Sequence, residues 1–80
     1  MTTKITMFTK NDCGDCKRAK FMLEHCPIDV ELKEFNIDID PKFEERLKQM
    51  GIMQVPVFEF ESGTVVVGFK EGKIMEELGL

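Results

Sequence analysis

The order of strand-like and helix-like segments is the feature that most constrains how this chain can fold. Stretches rich in β-branched and aromatic residues predict four strands, at 4–9, 30–37, 55–60 and 64–69. Apolar residues at helical spacing predict three helices, over roughly 13–25, from Phe43 to Met50, and from Ile74 to Leu78. The predicted order of elements is βαβαββα.

This order predicts an α/β fold with a four-stranded mixed sheet flanked by three helices. The first β-α-β unit makes a right-handed crossover between parallel strands. Glu61-Ser62-Gly63 joins the last two strands as a short antiparallel hairpin. A chain of 80 residues is within the size of one domain, so we expect a single domain over residues 1–80.

Local signals place the ends of the first two helices. Asp12 is positioned to cap the first helix, and Pro27 prevents its continuation. Asp40 followed by Pro41 is typical of a helix start, and Gly51 of a helix end. We therefore expect the second helix to be bounded by these residues.

Three further features concern the second strand and the end of the first helix. Between Leu32 and Phe35 the apolar alternation changes phase, which predicts either a bulge or a strand that is covered on both faces. Cys26 continues the apolar face of the first helix, so we expect a small buried hydrophobic residue, with a regulatory thiol or a dimer disulfide as the alternative. We expect His25 to lie at the surface rather than to shuttle protons.

The charge distribution limits the classes of partner. The net charge is −4, and nucleic-acid binding requires a basic footprint, so we expect no nucleic-acid partner. Five basic and two acidic residues give residues 1–23 a charge of +3, whereas six basic and 13 acidic residues give residues 24–80 a charge of −7. The sequence lacks the apolar length of a membrane span, and because Met1-Thr2-Thr3-Lys4 shows no long apolar stretch we expect no signal peptide. We expect a cytoplasmic monomer without a membrane partner.

Cys13 and Cys16 lie between the first strand and the first helix, at the sheet edge where α/β folds place their sites. This spacing is typical of a redox dithiol or of half a metal site. Cys26 lies ten residues after Cys16, roughly 15 Å along a helix, which is too far for one tetrahedral ion with bonds of about 2.3 Å. We therefore expect a dithiol that cycles to a disulfide; an iron–sulfur or zinc bridge between two chains through Cys13 and an inert pair remain alternatives.

The two cysteines are expected to have different roles. Cys13 is predicted to be the nucleophile, because a helix amino terminus favours the thiolate and Lys10 and Lys17 add positive charge nearby. Asp15 opposes this effect. Cys16, one turn into the helix, is predicted to be less exposed and to act as the resolving thiol.

Three segments together resemble the thioredoxin superfamily and, within it, the glutaredoxin-like NrdH-redoxins. They are Thr9-Lys10-Asn11-Asp12-Cys13-Gly14-Asp15-Cys16, Gln54-Val55-Pro56-Val57 and Gly68-Phe69-Lys70. The resemblance implies a thioredoxin-like, glutaredoxin-type fold with a cis Pro56 facing the disulfide, and a Val55 backbone that pairs with a partner's extended segment. It implies substrate-binding roles for six residues, namely Lys10, Gln54, Val55, Pro56, Gly68 and Phe69. Lys10 is equally consistent with a solvated turn residue, and Phe69 with a core residue.

The resemblance also implies an activity, thiol-disulfide oxidoreduction without a tightly bound cofactor. The implied client is a protein disulfide, in this family that of a class Ib ribonucleotide reductase, and the implied reductant is an NADPH-dependent thioredoxin reductase. The alternative is a glutaredoxin that glutathione reduces. Gln54 replaces the Thr or Ser of classical glutaredoxins, and Glu71-Gly72 departs from both groups. Both departures argue against tight glutathione binding; Gly14-Asp15 and Glu71-Gly72, which also depart from the usual NrdH-redoxin pattern, leave the reductase open.

Overall fold

Seven elements follow one another in the order that the sequence predicts, in a computed structural model that describes residues 2–80. The strands are β1 (Thr3–Thr9), β2 (Val30–Asn36), β3 (Val57–Phe60) and β4 (Val65–Val67). The helices are α1 (Gly14–Glu24), α2 (Pro41–Gln49) and α3 (Glu71–Glu77). The predicted α/β class and βαβαββα order are confirmed.

The four strands form one mixed sheet in the order β2-β1-β3-β4. β1 and β2 are parallel, whereas β3 is antiparallel to both β1 and β4. The register of β1 and β2 runs without interruption from Thr3 opposite Val30 to Thr9 opposite Asn36, so the predicted bulge is wrong. The phase change arises because both faces of β2 are covered: Leu32 packs on one side of the sheet and Phe35 on the other.

Each face of the sheet has its own apolar cluster. On one face, residues of β1 and β3 pack with α1 and α3, and the fully buried members include Met7, Phe58, Ala19 and Ile74. On the opposite face, α2 packs on Phe8 and Val57 through Leu47. The site-bearing helix α1 is therefore held against the sheet by buried side chains.

Aromatic contacts strengthen the α2 face. The Phe35 and Phe43 rings stack with centroids 4.2 Å apart, and Phe35 meets Phe8 edge-on at 5.5 Å. Such pairs contribute about 0.5–1.5 kcal/mol beyond the burial of their area. They fix α2 over the carboxyl ends of β1 and β2.

The helix ends agree with the sequence for α2 but not for α1. Asp40 caps α2 by accepting a hydrogen bond from the Lys42 amide at 2.9 Å, and Gly51 has a φ of 75°. Asp12 does not cap α1, because it adopts the left-handed conformation with a φ of 56° in the preceding turn. Cys13 is the N-cap residue instead.

The strands around the last hairpin are shorter than predicted. β3 begins at Val57 rather than at residue 55, because Pro56 has no N–H to donate to a strand ladder. The Val55–Pro56 peptide bond is cis. β4 ends at Val67, because Gly68 leaves the extended conformation with a φ of 85°. Within residues 2–80, none of the helices has the length and apolar character that spanning a bilayer requires.

The packing of α2 predicts a large cost for truncating Leu47. This side chain is buried between α2 and the sheet, so Leu47→Ala is expected to lower the free energy of unfolding by about 2–5 kcal/mol. Urea denaturation measures the loss. Gln49→Ala, at an exposed position of the same helix, is the control and is expected to change stability by less than about 0.5 kcal/mol. Equal losses in the two variants would contradict this account of the packing.

Candidate active site

The loop between β1 and α1, residues 10–13, is held by the end of β2. The Ile37 amide donates to the Thr9 carbonyl at 2.8 Å, and the Asn11 amide donates to Asp38 Oδ2 at 2.9 Å. The side-chain amide of Asn36 donates through Nδ2 to Asn11 Oδ1 at 3.1 Å. The sequence analysis did not identify these contacts, although Asn and Asp residues at the ends of two adjacent parallel strands are a signal for them.

Cys13 and Cys16 are joined by a disulfide bond across the first turn of α1, with their Cα atoms 5.2 Å apart. The Cys16 amide donates to Cys13 Sγ at 3.2 Å, so the sulfur acts as the N-cap acceptor. Cys13 is 8% exposed and Cys16 is 3% exposed. Both residues are buried, and the more exposed of the two is the one whose sulfur accepts the hydrogen bond at the helix amino terminus.

In the described residues, the charged side chains nearest in sequence make no hydrogen bond to the cysteine sulfurs. Arg18 pairs with Asp15 at 2.8 Å, which offsets the negative charge within the motif. Lys10 and Lys17 are exposed, and within residues 2–80 neither hydrogen-bonds to a cysteine sulfur. The backbone of α1, rather than a lysine, makes the polar contact with Cys13.

Four of the predicted substrate-binding residues lie in two segments that contact each other: Val55 and Pro56 in one, Gly68 and Phe69 in the other. Pro56 is buried, and its carbonyl accepts a hydrogen bond from the Gly68 amide at 2.7 Å. Val55 and Phe69 are half-buried and pack against the cluster that contains both cysteines. The structure thus brings the two segments of the second and third motifs to the same place.

Lys10 and Gln54 lie instead at a groove of about 230 Å³ beside α2. Apolar side chains, including Ile37 and Ile52, line the groove between them. Met53 also lines it and is 94% exposed. The sequence analysis missed Met53; the signal was a loop that carries apolar residues just before Pro56.

A second polar network lies beneath α1. Thr9 is buried and its hydroxyl donates to Glu34 Oε2 at 2.8 Å, while Lys20 Nζ lies 3.0 Å from Glu34 Oε1. Burial raises the pKa of the Glu34 carboxyl, but the hydrogen bonds from Thr9 and Lys20 and the Lys20 charge outweigh this effect and hold the pKa below its ordinary value. Lys20 lies one turn after Cys16, so this network ties the site-bearing helix to β2.

The remaining candidates lie away from the disulfide. Cys26 follows the end of α1 and is half-buried rather than buried, with its thiol donating to the Leu23 and Ile28 carbonyls. His25 is exposed, as predicted, and stacks on Phe21 with ring centroids 4.2 Å apart. In the described part of the chain, no group of three or more His, Cys, Asp or Glu side chains could hold a metal ion.

A sheet of this order, with a disulfide across the first turn of α1, defines a thiol-disulfide oxidoreductase of the thioredoxin fold. The glutaredoxin family model matches residues 5–63, and the chain belongs to the glutaredoxin family. The predicted class of enzyme and the redox-active disulfide agree with this assignment.

The relatives that the chain matches include glutaredoxin-like NrdH proteins. The chain is 37% identical over 54 residues to NrdH of Lactococcus lactis, covering 66% of this chain and 71% of that protein. The same identity to NrdH of Escherichia coli covers 68% of this chain and 64% of that protein. Among solved structures, the Escherichia coli NrdH-redoxin superposes with a TM-score of 0.80 at 29% identity, over 91% of this chain and 92% of that chain. The resemblance to NrdH-redoxins is thus confirmed.

The Glu34 network predicts a stability that depends on pH. Because folding lowers the Glu34 pKa, the carboxylate stabilises the fold above its ordinary pKa of 4.5, and this stabilisation is lost as the pH falls through the folded-state pKa. Glu34→Gln is expected to lower stability at pH 7 by under about 1 kcal/mol, because solvent screens a side chain that is 35% exposed. Thermal denaturation should show this difference closing at acid pH. Glu31→Gln, at an exposed position of the same strand, should show no such trend; a gap that widens at acid pH would contradict the assignment.

Proposed function

We propose that this protein donates electrons to disulfides of other proteins, with Cys13 as the attacking thiolate and Cys16 as the resolving thiol. The observation that carries this proposal is the hydrogen bond from the Cys16 amide to Cys13 Sγ at the start of α1. In the reduced protein the same N–H and the helix dipole favour negative charge on this sulfur. Cys13 is also the more exposed residue of the pair, which supports its role as the attacking thiolate.

The electron transfer proceeds in two exchange steps. The Cys13 thiolate attacks a client disulfide, an S–S bond forms between Cys13 and the client, and the other client sulfur leaves as a thiolate that takes up a proton. The Cys16 thiol then loses its proton and attacks Cys13 Sγ. The Cys13–Cys16 disulfide forms, the second client sulfur leaves, and two electrons have passed to the client.

The residues around the disulfide support an extended client segment. Within residues 2–80 the main-chain N–H and C=O of Val55 make no hydrogen bond, so both are free to pair with a partner backbone beside the disulfide. Pro56, Gly68 and Phe69 form the adjoining surface. Lys10 and Gln54 contact the client farther out, along the groove beside α2.

The reductant we propose is a thioredoxin reductase rather than glutathione. An exposed, uncharged Gln54 and an exposed Glu71 in the first turn of α3 offer little to bind the carboxylates of a tripeptide. The exposed Met53 instead offers an apolar contact to a protein. The Escherichia coli relative is described as a glutaredoxin-like protein with a thioredoxin-like activity profile, and we extend that profile to this chain.

The family resemblance supplies the rest of the proposal. A class Ib ribonucleotide reductase is the proposed client, because the relatives are NrdH proteins. We place the reaction in the cytoplasm, where reducing conditions keep a dithiol available. The free thiol of Cys26 is consistent with that compartment.

Replacing each cysteine by serine tests the assigned roles. Cys13→Ser is expected to lower the reduction of insulin disulfides by at least about 100-fold, because no nucleophile remains. Cys16→Ser is expected to accumulate a mixed disulfide with the client, because the resolving attack is lost. Turbidity follows the first result and mass spectrometry the second. Cys26→Ser is the control and should retain activity; a mixed disulfide that accumulates on the Cys13→Ser protein rather than on the Cys16→Ser protein would contradict the two roles.

A coupled assay separates the two reductants. The oxidised protein is incubated with NADPH and either thioredoxin reductase or glutathione with glutathione reductase, and NADPH absorbance is followed. We expect at least about tenfold faster oxidation of NADPH with thioredoxin reductase, because Gln54 and Glu71 do not fit a glutathione site. Faster NADPH oxidation with glutathione would show that glutathione, and not thioredoxin reductase, is the reductant. The proposed chemistry of the Cys13–Cys16 dithiol would be unchanged.

A further inference from the structure

β4 is an edge strand that lacks the usual protection against pairing with another chain. The opposite edge, β2, carries alternating charges through Glu31 and Lys33, which discourage edge pairing. β4 consists of valines alone, and Val65 is 38% exposed. The sheet therefore has one blocked edge and one open edge.

The hydrogen bonds of β4 show which main-chain groups face outward. Thr64 and Gly68 both face β3, because the Thr64 carbonyl accepts from the Phe60 amide at 2.9 Å and the Gly68 amide donates to the Pro56 carbonyl. Residues alternate in direction along an antiparallel strand, so Val65 and Val67 direct their N–H and C=O groups away from the sheet. These groups are what an added strand would bond.

A shallow groove of about 280 Å³ runs along this edge between β4 and α3. Its charge changes sign along its length. Lys70 and Lys73 line the end near Gly68, whereas Glu76 and Glu77 line the end near the hairpin, where Ser62 Oγ lies 3.5 Å from Glu77 Oε2. Within residues 2–80, none of these four charged groups belongs to an ion pair.

We propose that the partner of this edge is a second copy of the chain, paired antiparallel through β4 about a two-fold axis at Val66. This register places Val65 opposite Val67 of the partner subunit, so the outward N–H and C=O groups of both residues are bonded. The same axis places the lysine end of one groove beside the glutamate end of the other. The charge pattern is self-complementary in this arrangement only, and a parallel pairing would oppose like charges.

The interface is small, so the association is weak and depends on concentration. A strand of this length with one helix on each side falls below the area of stable dimers. The sheet order separates β4 from β1, which leads into the cysteine loop, by the whole of β3. The dimer therefore leaves the disulfide accessible, and the monomer that the sequence analysis expects is the species at low concentration.

Charge reversal with sedimentation velocity tests this arrangement. The oxidised full chain is expected to shift from monomer to dimer as its concentration is raised, with a higher dissociation constant at high salt. Lys73→Glu and Glu76→Lys are each expected to raise that constant at least about fivefold, because each opposes like charges across the axis. Lys33→Glu, the same change on the opposite edge, should leave it unchanged. Circular dichroism confirms that each variant folds.

Mixing the two variants gives the decisive result. An equimolar mixture of the Lys73→Glu and Glu76→Lys proteins is expected to form a heterodimer at least as tight as the parent dimer, because every pair across the axis then has opposite charges. An effect confined to α3 within one chain could not produce this rescue. A chain that stays monomeric at every concentration, or a mixture no tighter than the separate variants, would overturn the proposal; binding of only a foreign acidic peptide to the monomer would do so too. Insulin reduction is the separate readout for the dithiol.

Discussion

The hydrogen bond from the Cys16 amide to Cys13 Sγ is the contact on which the rest of the site depends. It exists because Cys13 occupies the N-cap of α1, where the first backbone N–H groups have no partner within the helix. An Asp or Ser at this position would satisfy the same N–H but could not exchange with a disulfide. The sulfur therefore caps the helix and carries the redox chemistry, and any movement of α1 changes both functions together.

The position of α1 is fixed from two sides. Ala19 and Leu23 are buried against the sheet, which sets the helix over β1 and β3. Lys20 and Glu34 add a polar contact to β2, with Thr9 beneath it. The apolar contacts supply most of the free energy, because a partly exposed ion pair contributes at most about 1 kcal/mol. The polar contacts fix the orientation of α1, because the Thr9 hydroxyl and the Lys20 ammonium both bind the Glu34 carboxylate.

Features encoded by neighbouring residues could be predicted from the sequence, and features that depend on distant residues could not. The start of α2 at Asp40 and Pro41 is local, so the prediction was correct. The N-cap of α1 was misassigned because the turn places Asp12 in the left-handed conformation, which leaves Cys13 as the N-cap. The partners of Thr9 and of Asn11 lie 25 and 27 positions away, beyond any spacing rule. The resemblance to NrdH-redoxins implied that Pro56 faces the disulfide and that the Val55 backbone pairs with a partner. Only the folded chain shows that the Val55 N–H and C=O make no hydrogen bond within residues 2–80.

The unprotected β4 edge follows from how few residues cover this sheet. α1 and α3 share one face and α2 lies on the other over Phe8 and Val57, so no helix crosses beyond β4. β2 tolerates its exposed edge because its outward positions carry charges, a solution that costs no extra residues. β4 cannot use the same solution throughout, since Val66 is buried against α3 and Val67 packs toward Val57. Of the three valines, Val65 is the one exposed enough to carry a charge, and an uncharged side chain there leaves the edge open to the proposed pairing.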